Sequence, residues 1–126
     1  MNATEIGCVA VIGAGQMGRG IAQVAAAAGI RALLCDASLA QAEQGKALIA
    51  SILGKQVEKG KMTAEACQSL LDLIVPAADL SVLAEADLAI EAVSESFAVK
   101  QRIFKDADAA LRPGAILASN TSSISI

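Results

Sequence analysis

Six residues, Gly13-Ala14-Gly15-Gln16-Met17-Gly18, leave few folds open to this chain because of what flanks them. Before them, Cys8 to Ile12 is a short β-rich run, apolar on both faces, the pattern of a strand buried inside a parallel sheet. After them Ile21, Val24, Ala25 and Ala28 recur at helical spacing, and Gly29 is placed to close that helix. Strand, glycine turn and helix in that order form the first half of a βαβ unit.

The rest of the chain repeats the alternation. A strand over Arg31 to Cys35 ends on Asp36, and a helix runs from about Leu39 to Val57, with Ala42, Leu48, Ile49, Ile52 and Leu53 expected on its buried side. Gly60 ends it, and Thr63 is an N-cap for a short helix through Leu71. Leu73-Ile74-Val75 reads as a strand stopped by Pro76, Leu80 to Ala84 as a helical turn, and Leu88 to Val93 as the most buried strand. A helix from Phe97 to Leu111 ends before Pro113-Gly114, and Ala115 to Ser119 forms a last strand. Strand-length apolar runs alternating with helices, without repeats or linkers, specify a single α/β domain over residues 1–126, a Rossmann-type doubly wound parallel sheet with helices on both faces. Because 28 of the 126 residues are Ala, close backbone approach more than bulky side chains must build its core.

Composition removes several chemistries. The chain has no His, so the commonest metal ligand and the side chain best suited to proton transfer near neutral pH are both absent. Cys8, Cys35 and Cys67 are odd in number, widely spaced and in apolar surroundings, which predicts buried free thiols, no metal site and a reducing compartment, the cytoplasm. A net charge of −3 without any basic cluster predicts no nucleic-acid partner. The apolar runs are far shorter than the roughly 20 residues a membrane span needs, so no membrane association is expected.

A pyrophosphate brings its charge close to the backbone. Its loop needs glycine at the tight turn, at the phosphate's approach and where helix meets strand, with the helix's first N–H groups receiving the anion. Gly13, Gly15 and Gly18 supply those positions, and Asp36 follows Gly18 by 18 residues at the end of the second strand. A carboxylate there accepts hydrogen bonds from a ribose hydroxyl and repels a 2′-phosphate, and neither Ala37 nor Ser38 offers a cation to hold one, so NAD is preferred over NADP. The blander alternative is that the glycines merely turn the chain and Asp36 merely caps the long helix. Glu91, inside an apolar strand, reads as a structural, hydrogen-bonded carboxylate.

Three ordered stretches then carry a resemblance: Val11 to Ala22 around the glycine loop, Asp87-Leu88-Ala89-Ile90-Glu91-Ala92-Val93-Ser94-Glu95, and Ser119-Asn120-Thr121-Ser122-Ser123. Together with Lys59-Gly60-Lys61-Met62-Thr63 and Val99-Lys100, they resemble the N-terminal domain of NAD-dependent 3-hydroxyacyl-CoA dehydrogenases from about Ile6 to the last residue. In that family the nicotinamide takes a hydride from C3 of a (3S)-3-hydroxyacyl-CoA, giving the 3-oxoacyl-CoA, while a histidine in a later His-Phe-Phe-Asn-Pro stretch takes the hydroxyl proton. This sequence stops before that stretch, so the resemblance implies a cofactor domain without its catalytic base and without the helical domain for substrate and dimerisation. An isolated domain of that kind is expected to be inactive and to expose an apolar patch.

The resemblance implies NAD contacts by Gly13, Ala14, Gly15, Gln16, Met17, Gly18 and Asp36, with Glu95, Lys100 and Asn120 also near the cofactor and Ser122 near substrate and nicotinamide. Glu95 equally suits a cap for the helix starting near Phe97. Lys55 and Lys59, four apart on one helix face, are candidates to meet the phosphates of coenzyme A, or else form a solvated face. Gln16 stands where threonine is common in the family, and Ser96-Phe97 replaces a frequent Asn-Leu. The stretch from Met62 to Cys67 and the ending Ser122-Ser123-Ile124-Ser125-Ile126 look most like the branch acting on 3-hydroxyadipyl-CoA in phenylacetate breakdown. A contrasting reading is a stand-alone NAD-binding regulatory module, and a third is a homologue that keeps the fold without its ligand.

Overall fold

The structure is a computed structural model and describes residues 6–92, 97–111 and 113–119. In chain order the elements are β1 (Cys8–Ile12), α1 (Gln16–Ala27), β2 (Arg31–Cys35), α2 (Leu39–Glu58), α3 (Ala64–Asp72), β3 (Ile74–Ala77), a 3-10 helix (Leu80–Glu85), β4 (Leu88–Glu91), α4 (Phe97–Ala110) and β5 (Ile116–Ser119). The five strands are parallel in the order β3-β2-β1-β4-β5. The chain therefore walks outward from β1 to β3, crosses back, and walks outward again on the other side. Two such half-sheets starting at the centre are the doubly wound arrangement expected from the alternation.

Strand residues alternate between two cores, as the two-residue period requires. Val9, Val11, Ala32, Leu34 and Ile74 meet Ala22 and Ala26 of α1 and Ile49 and Leu53 of α2 on one face. Cys8, Ala10, Ile12, Leu33 and Cys35 meet Leu83, Ala86 and Ala107 on the other. Alanine is the recurrent contact residue on the helices, which lets them lie close to the strands. Gly29 (φ 82°) and Gly60 (φ 72°) follow α1 and α2 in the left-handed conformation that ends a helix.

Four expectations need correction. The most buried strand is β1, with all five residues buried, whereas Leu88 and Ile90 of β4 are half-buried, because β1 lies at the centre of the sheet with helices over both faces. The buried stripe of α2 is Ala42, Gly45, Ile49 and Leu53, while Leu48 and Ile52 are 40% and 48% exposed. A helix on one sheet face buries a stripe at spacings of three and four, and residues one position off it fall on the shoulder. Pro76 lies within β3, paired in register with Leu34, where a stop was expected. At the edge of a sheet one side of a strand has no neighbour to pair with, so a proline without an N–H is tolerated. Cys67 is half-buried on α3, whereas Cys8 and Cys35 are buried as expected, and none of the three is in a disulfide. Among the described residues no helix is long and apolar enough to cross a membrane, and no cluster of side chains could hold a metal ion.

Apolar residues also remain outside. Val24 is 72% exposed and Met17 53%, and with Ile21, Val9 and Ile90 they line a groove of about 500 Å³ beside α1. Ile116 on β5 is likewise exposed.

Candidate functional site

The order of the sheet reverses at β1, whose neighbours β2 and β4 belong to opposite halves, and in open parallel sheets such a switch point, at the carboxyl ends of the strands, is where ligands bind. The glycine loop sits there. Gly13 has φ 114°, a conformation closed to residues with a side chain, and its N–H donates to the Cys35 carbonyl at 2.7 Å. The next N–H, that of Ala14, donates to Asp36 Oδ2 at 2.9 Å. Asp36 is itself held at the end of β2, its N–H donating to the Ala77 carbonyl at 3.1 Å and its Oδ1 accepting from the Ala37 N–H at 2.7 Å. Its carboxylate thus ties the second strand to the loop.

This geometry replaces the blander reading of Asp36. The cap of α2 is Ser38, whose side chain accepts from the Gln41 N–H at 3.1 Å. Asp36 stands clear of the helix and beside the loop, where sequence spacing placed it.

The other two glycines of the loop have different reasons to be glycine. A Cβ on Gly18 would lie 1.7 Å from the Gly13 carbonyl oxygen, so α1 packs against the loop more closely than any side chain allows. A Cβ on Gly15 would meet nothing within 4 Å. Gly15 is exposed, caps α1 with φ −72°, and has no side-chain bond to the first helical N–H groups. A side chain at Gly15 would thus meet no described atom beside the start of α1, where helix N–H groups can receive an anion. Gly45 of α2 packs under the same loop, where a Cβ would come within 3.2 Å of the Ala14 Cβ. The loop is therefore braced from beneath and open above, and it fits a dinucleotide pyrophosphate with Asp36 beside it for a ribose.

Other predicted residues are distributed differently. Gln16 and Met17 are exposed at the start of α1, next to Gly15. Lys55 and Lys59 are exposed near the far end of α2, about 15 Å and about 21 Å along the helix axis from Gly45, so the fold does not bring them to the loop. Lys100 is in the first turn of α4. Glu95, Asn120 and Ser122 lie outside the described residues. Glu91 is 1% exposed at the end of β4, in register with Ile12 and Ser119. No buried side-chain polar atom among the described residues lacks a hydrogen-bond partner, which agrees with a structural role for it.

Sequence reasoning passed over Arg19. Its guanidinium Nη1 donates to the Ala14 carbonyl at 3.2 Å. A long cationic side chain one turn beyond Gly15 was the available signal, but whether such a chain bends back to the loop or out to water is decided by packing. Cys35, adjacent to Asp36, is no nucleophile, because burial first and the neighbouring Cys8 and Asp36 charges second push its thiol up to about 12.

Residues 8–126 match the family described as "3-hydroxyacyl-CoA dehydrogenase, NAD binding domain". The chain is 50% identical over 118 residues to a 3-hydroxybutyryl-CoA dehydrogenase of Bradyrhizobium diazoefficiens, covering 94% of this chain and 40% of that protein. It is 45% identical to a 3-hydroxyadipyl-CoA dehydrogenase of Escherichia coli, covering 94% of this chain and 25% of that protein. Among solved structures, the (S)-3-hydroxybutyryl-CoA dehydrogenase of Ralstonia eutropha superimposes with a TM-score of 0.92 at 38% identity, over 97% of this chain and 43% of that one. The chain spans at most about two-fifths of the length of these relatives. With the glycine loop, the neighbouring carboxylate and the reversed sheet order at one place, and the match running from the first strand to the last residue, the chain belongs to the NAD-binding domain family of the 3-hydroxyacyl-CoA dehydrogenases.

Proposed function

We propose that this chain is the cofactor half of an enzyme that oxidises a (3S)-3-hydroxyacyl-CoA to the 3-oxoacyl-CoA. NAD, when bound, supplies the hydride acceptor for C3 of the acyl chain. The observation that carries the reading is the pairing of an unobstructed Gly15 with Asp36, which already accepts the Ala14 N–H at 2.9 Å from the same loop. Gly13, Gly15 and Gly18 let the backbone approach the pyrophosphate, Gln16 and Met17 flank it, and Asp36 takes the adenosine ribose hydroxyls and repels a 2′-phosphate. Glu95, Lys100 and Asn120 belong on this reading near the nicotinamide half, and Ser122 between nicotinamide and substrate.

The chain has no histidine, so the base that takes the hydroxyl proton comes from sequence beyond residue 126. A helical domain following this one completes the substrate site and the homodimer. Lys55 and Lys59, exposed together at the end of α2, meet the coenzyme A phosphates. The acyl chain is that of 3-hydroxyadipyl-CoA in phenylacetate breakdown, and the enzyme is cytoplasmic, as its free thiols suit.

Calorimetric titration of the chain with NAD⁺, NADH and NADPH tests the cofactor half. NADH should bind, NADPH at least tenfold more weakly, and Asp36→Ala should cost NADH about tenfold while narrowing that gap. Equal binding of NADH and NADPH by the unaltered chain sinks the role given to Asp36. For the reaction, a chain extended to the length of its relatives should oxidise NADH with acetoacetyl-CoA, and one that binds NADH yet reduces no acyl-CoA is not this dehydrogenase.

A further inference from the structure

We propose that Arg19 is a positioning residue for the cofactor's pyrophosphate, holding the Ala14–Gly15 peptide so that the Gly15 N–H faces the ligand; this rests on the NAD reading above. Arg19 grips two successive carbonyls of the loop. Its guanidinium donates to the Ala14 oxygen at 3.2 Å and its own backbone N–H donates to the Gly15 oxygen at 2.9 Å. A trans peptide is planar with its C=O and N–H on opposite sides, and the described chain has no cis bond. Turning the Ala14 oxygen toward Arg19 therefore turns the Gly15 N–H away from it. Turning the Gly15 oxygen along the helix does the same for the Gln16 N–H.

The donors on the inner side of the loop are already engaged, Gly13 N–H by Cys35 and Ala14 N–H by Asp36. The outward pair is thus the pair an anion would meet, beside Gly15, where a side chain would meet nothing within 4 Å. The loop needs an external tie, because glycine at 13 and 15 gives these peptides several orientations of similar energy. Asp36 holds the Ala14 N–H and Arg19 holds the Ala14 C=O, so one peptide unit on either side of that residue is clamped before the cofactor arrives. Such preorganisation raises affinity by removing an ordering cost from binding. The guanidinium also brings positive charge to a helix start that has no acidic residue in its first turn.

NADH and ADP-ribose titrated into the unaltered chain, Arg19→Ala and Arg19→Lys test this, with thermal unfolding of each ligand-free protein alongside. Arg19→Ala should bind both ligands about tenfold more weakly, because both carry the pyrophosphate, while its melting temperature moves little. Arg19→Lys, which keeps a charged donor of similar reach, should recover to within about threefold. Arg19→Ala binding both ligands within twofold of the unaltered chain overturns the proposal and leaves the NAD reading standing. So does a loss that Lys does not rescue and that follows a fall in melting temperature, since that is a folding defect. An unaltered chain that binds neither ligand overturns the NAD reading and this proposal together.

Discussion

Replacing Gly18 by Ala places one methyl group 1.7 Å from the Gly13 oxygen, 2.9 Å from the Gly13 carbon and 3.3 Å from Val11 Cγ1. Ordinary contact begins at 3.4 Å, so loop and helix must separate by about 1.7 Å. The obstructing atom is backbone, in a residue fixed by φ 114° and by its 2.7 Å bond to Cys35, so no side-chain rotation relieves it. Overpacking of this kind costs about 3 kcal/mol, and the better helix propensity of Ala returns about 1 kcal/mol, for a net loss of about 2 kcal/mol. With an unfolding entropy of about 2.1 cal/mol/K per residue, the melting temperature should fall by about 8 °C. Gly15→Ala is the matched control. Its Cβ meets nothing and its φ of −72° suits alanine, so the gain from a less flexible unfolded chain and the loss of a better N-cap cancel to within about 0.5 kcal/mol. On the proposed NAD reading its methyl projects where the pyrophosphate approaches, and NADH affinity should fall about tenfold or more. Circular dichroism melts and NADH fluorescence titrations on both variants give four numbers. A Gly18→Ala melt within 2 °C of the unaltered chain would falsify the close-approach reasoning, and Gly15→Ala binding NADH normally would refute the open anion site.

Three further outcomes are expected. Ser38→Ala removes the α2 cap and should cost about 1 kcal/mol, seen as a drop of about 4 °C in the melt; no change would mean another group takes over the Gln41 N–H. Cys35 stays protonated in the folded protein up to about pH 12 but ionises near 9 once unfolded, so its contribution to stability is constant below pH 8 and declines above pH 9. At pH 10 the decline is about 1.4 kcal/mol, and urea titrations of Cys35→Ala against the unaltered chain should show that extra slope missing in the variant. Val24→Gln, at 72% exposure, should alter stability by less than about 0.5 kcal/mol; a larger loss in the melt would mean that the groove beside α1 is covered in solution.

Much of the fold was legible because its local signals agree. Each strand is an apolar run of the right length, Gly29 and Gly60 end helices with φ near +80° and +70°, and Thr63 accepts from Ala66 N–H as an N-cap should. The register of the strands and the burial of individual helix residues were not legible in the same way. Leu48 and Ile52 are as apolar as Ile49 and Leu53, and only the angle at which α2 meets the sheet puts the first pair on the shoulder. Pro76 stops a strand in isolation, yet it is kept at the sheet's edge beside Leu34.

The site divides along the same line. Glycine at 13, 15 and 18 and a carboxylate at 36 are facts of residue type and spacing, and a tight turn ahead of a helix permits few other arrangements, so the sequence by itself determined a glycine turn between the first strand and helix and a carboxylate at the end of the second strand. Tertiary structure decided what those residues do to one another. Asp36 turns to the Ala14 N–H and leaves α2 to Ser38, Gly18 is held against Gly13 while Gly15 stays open, and Arg19 bends back onto the Ala14 carbonyl. The physical reason is range. Turn and helix preferences act over a few residues and can be read along the chain, whereas a hydrogen bond across 22 positions exists only once packing has brought the two segments together.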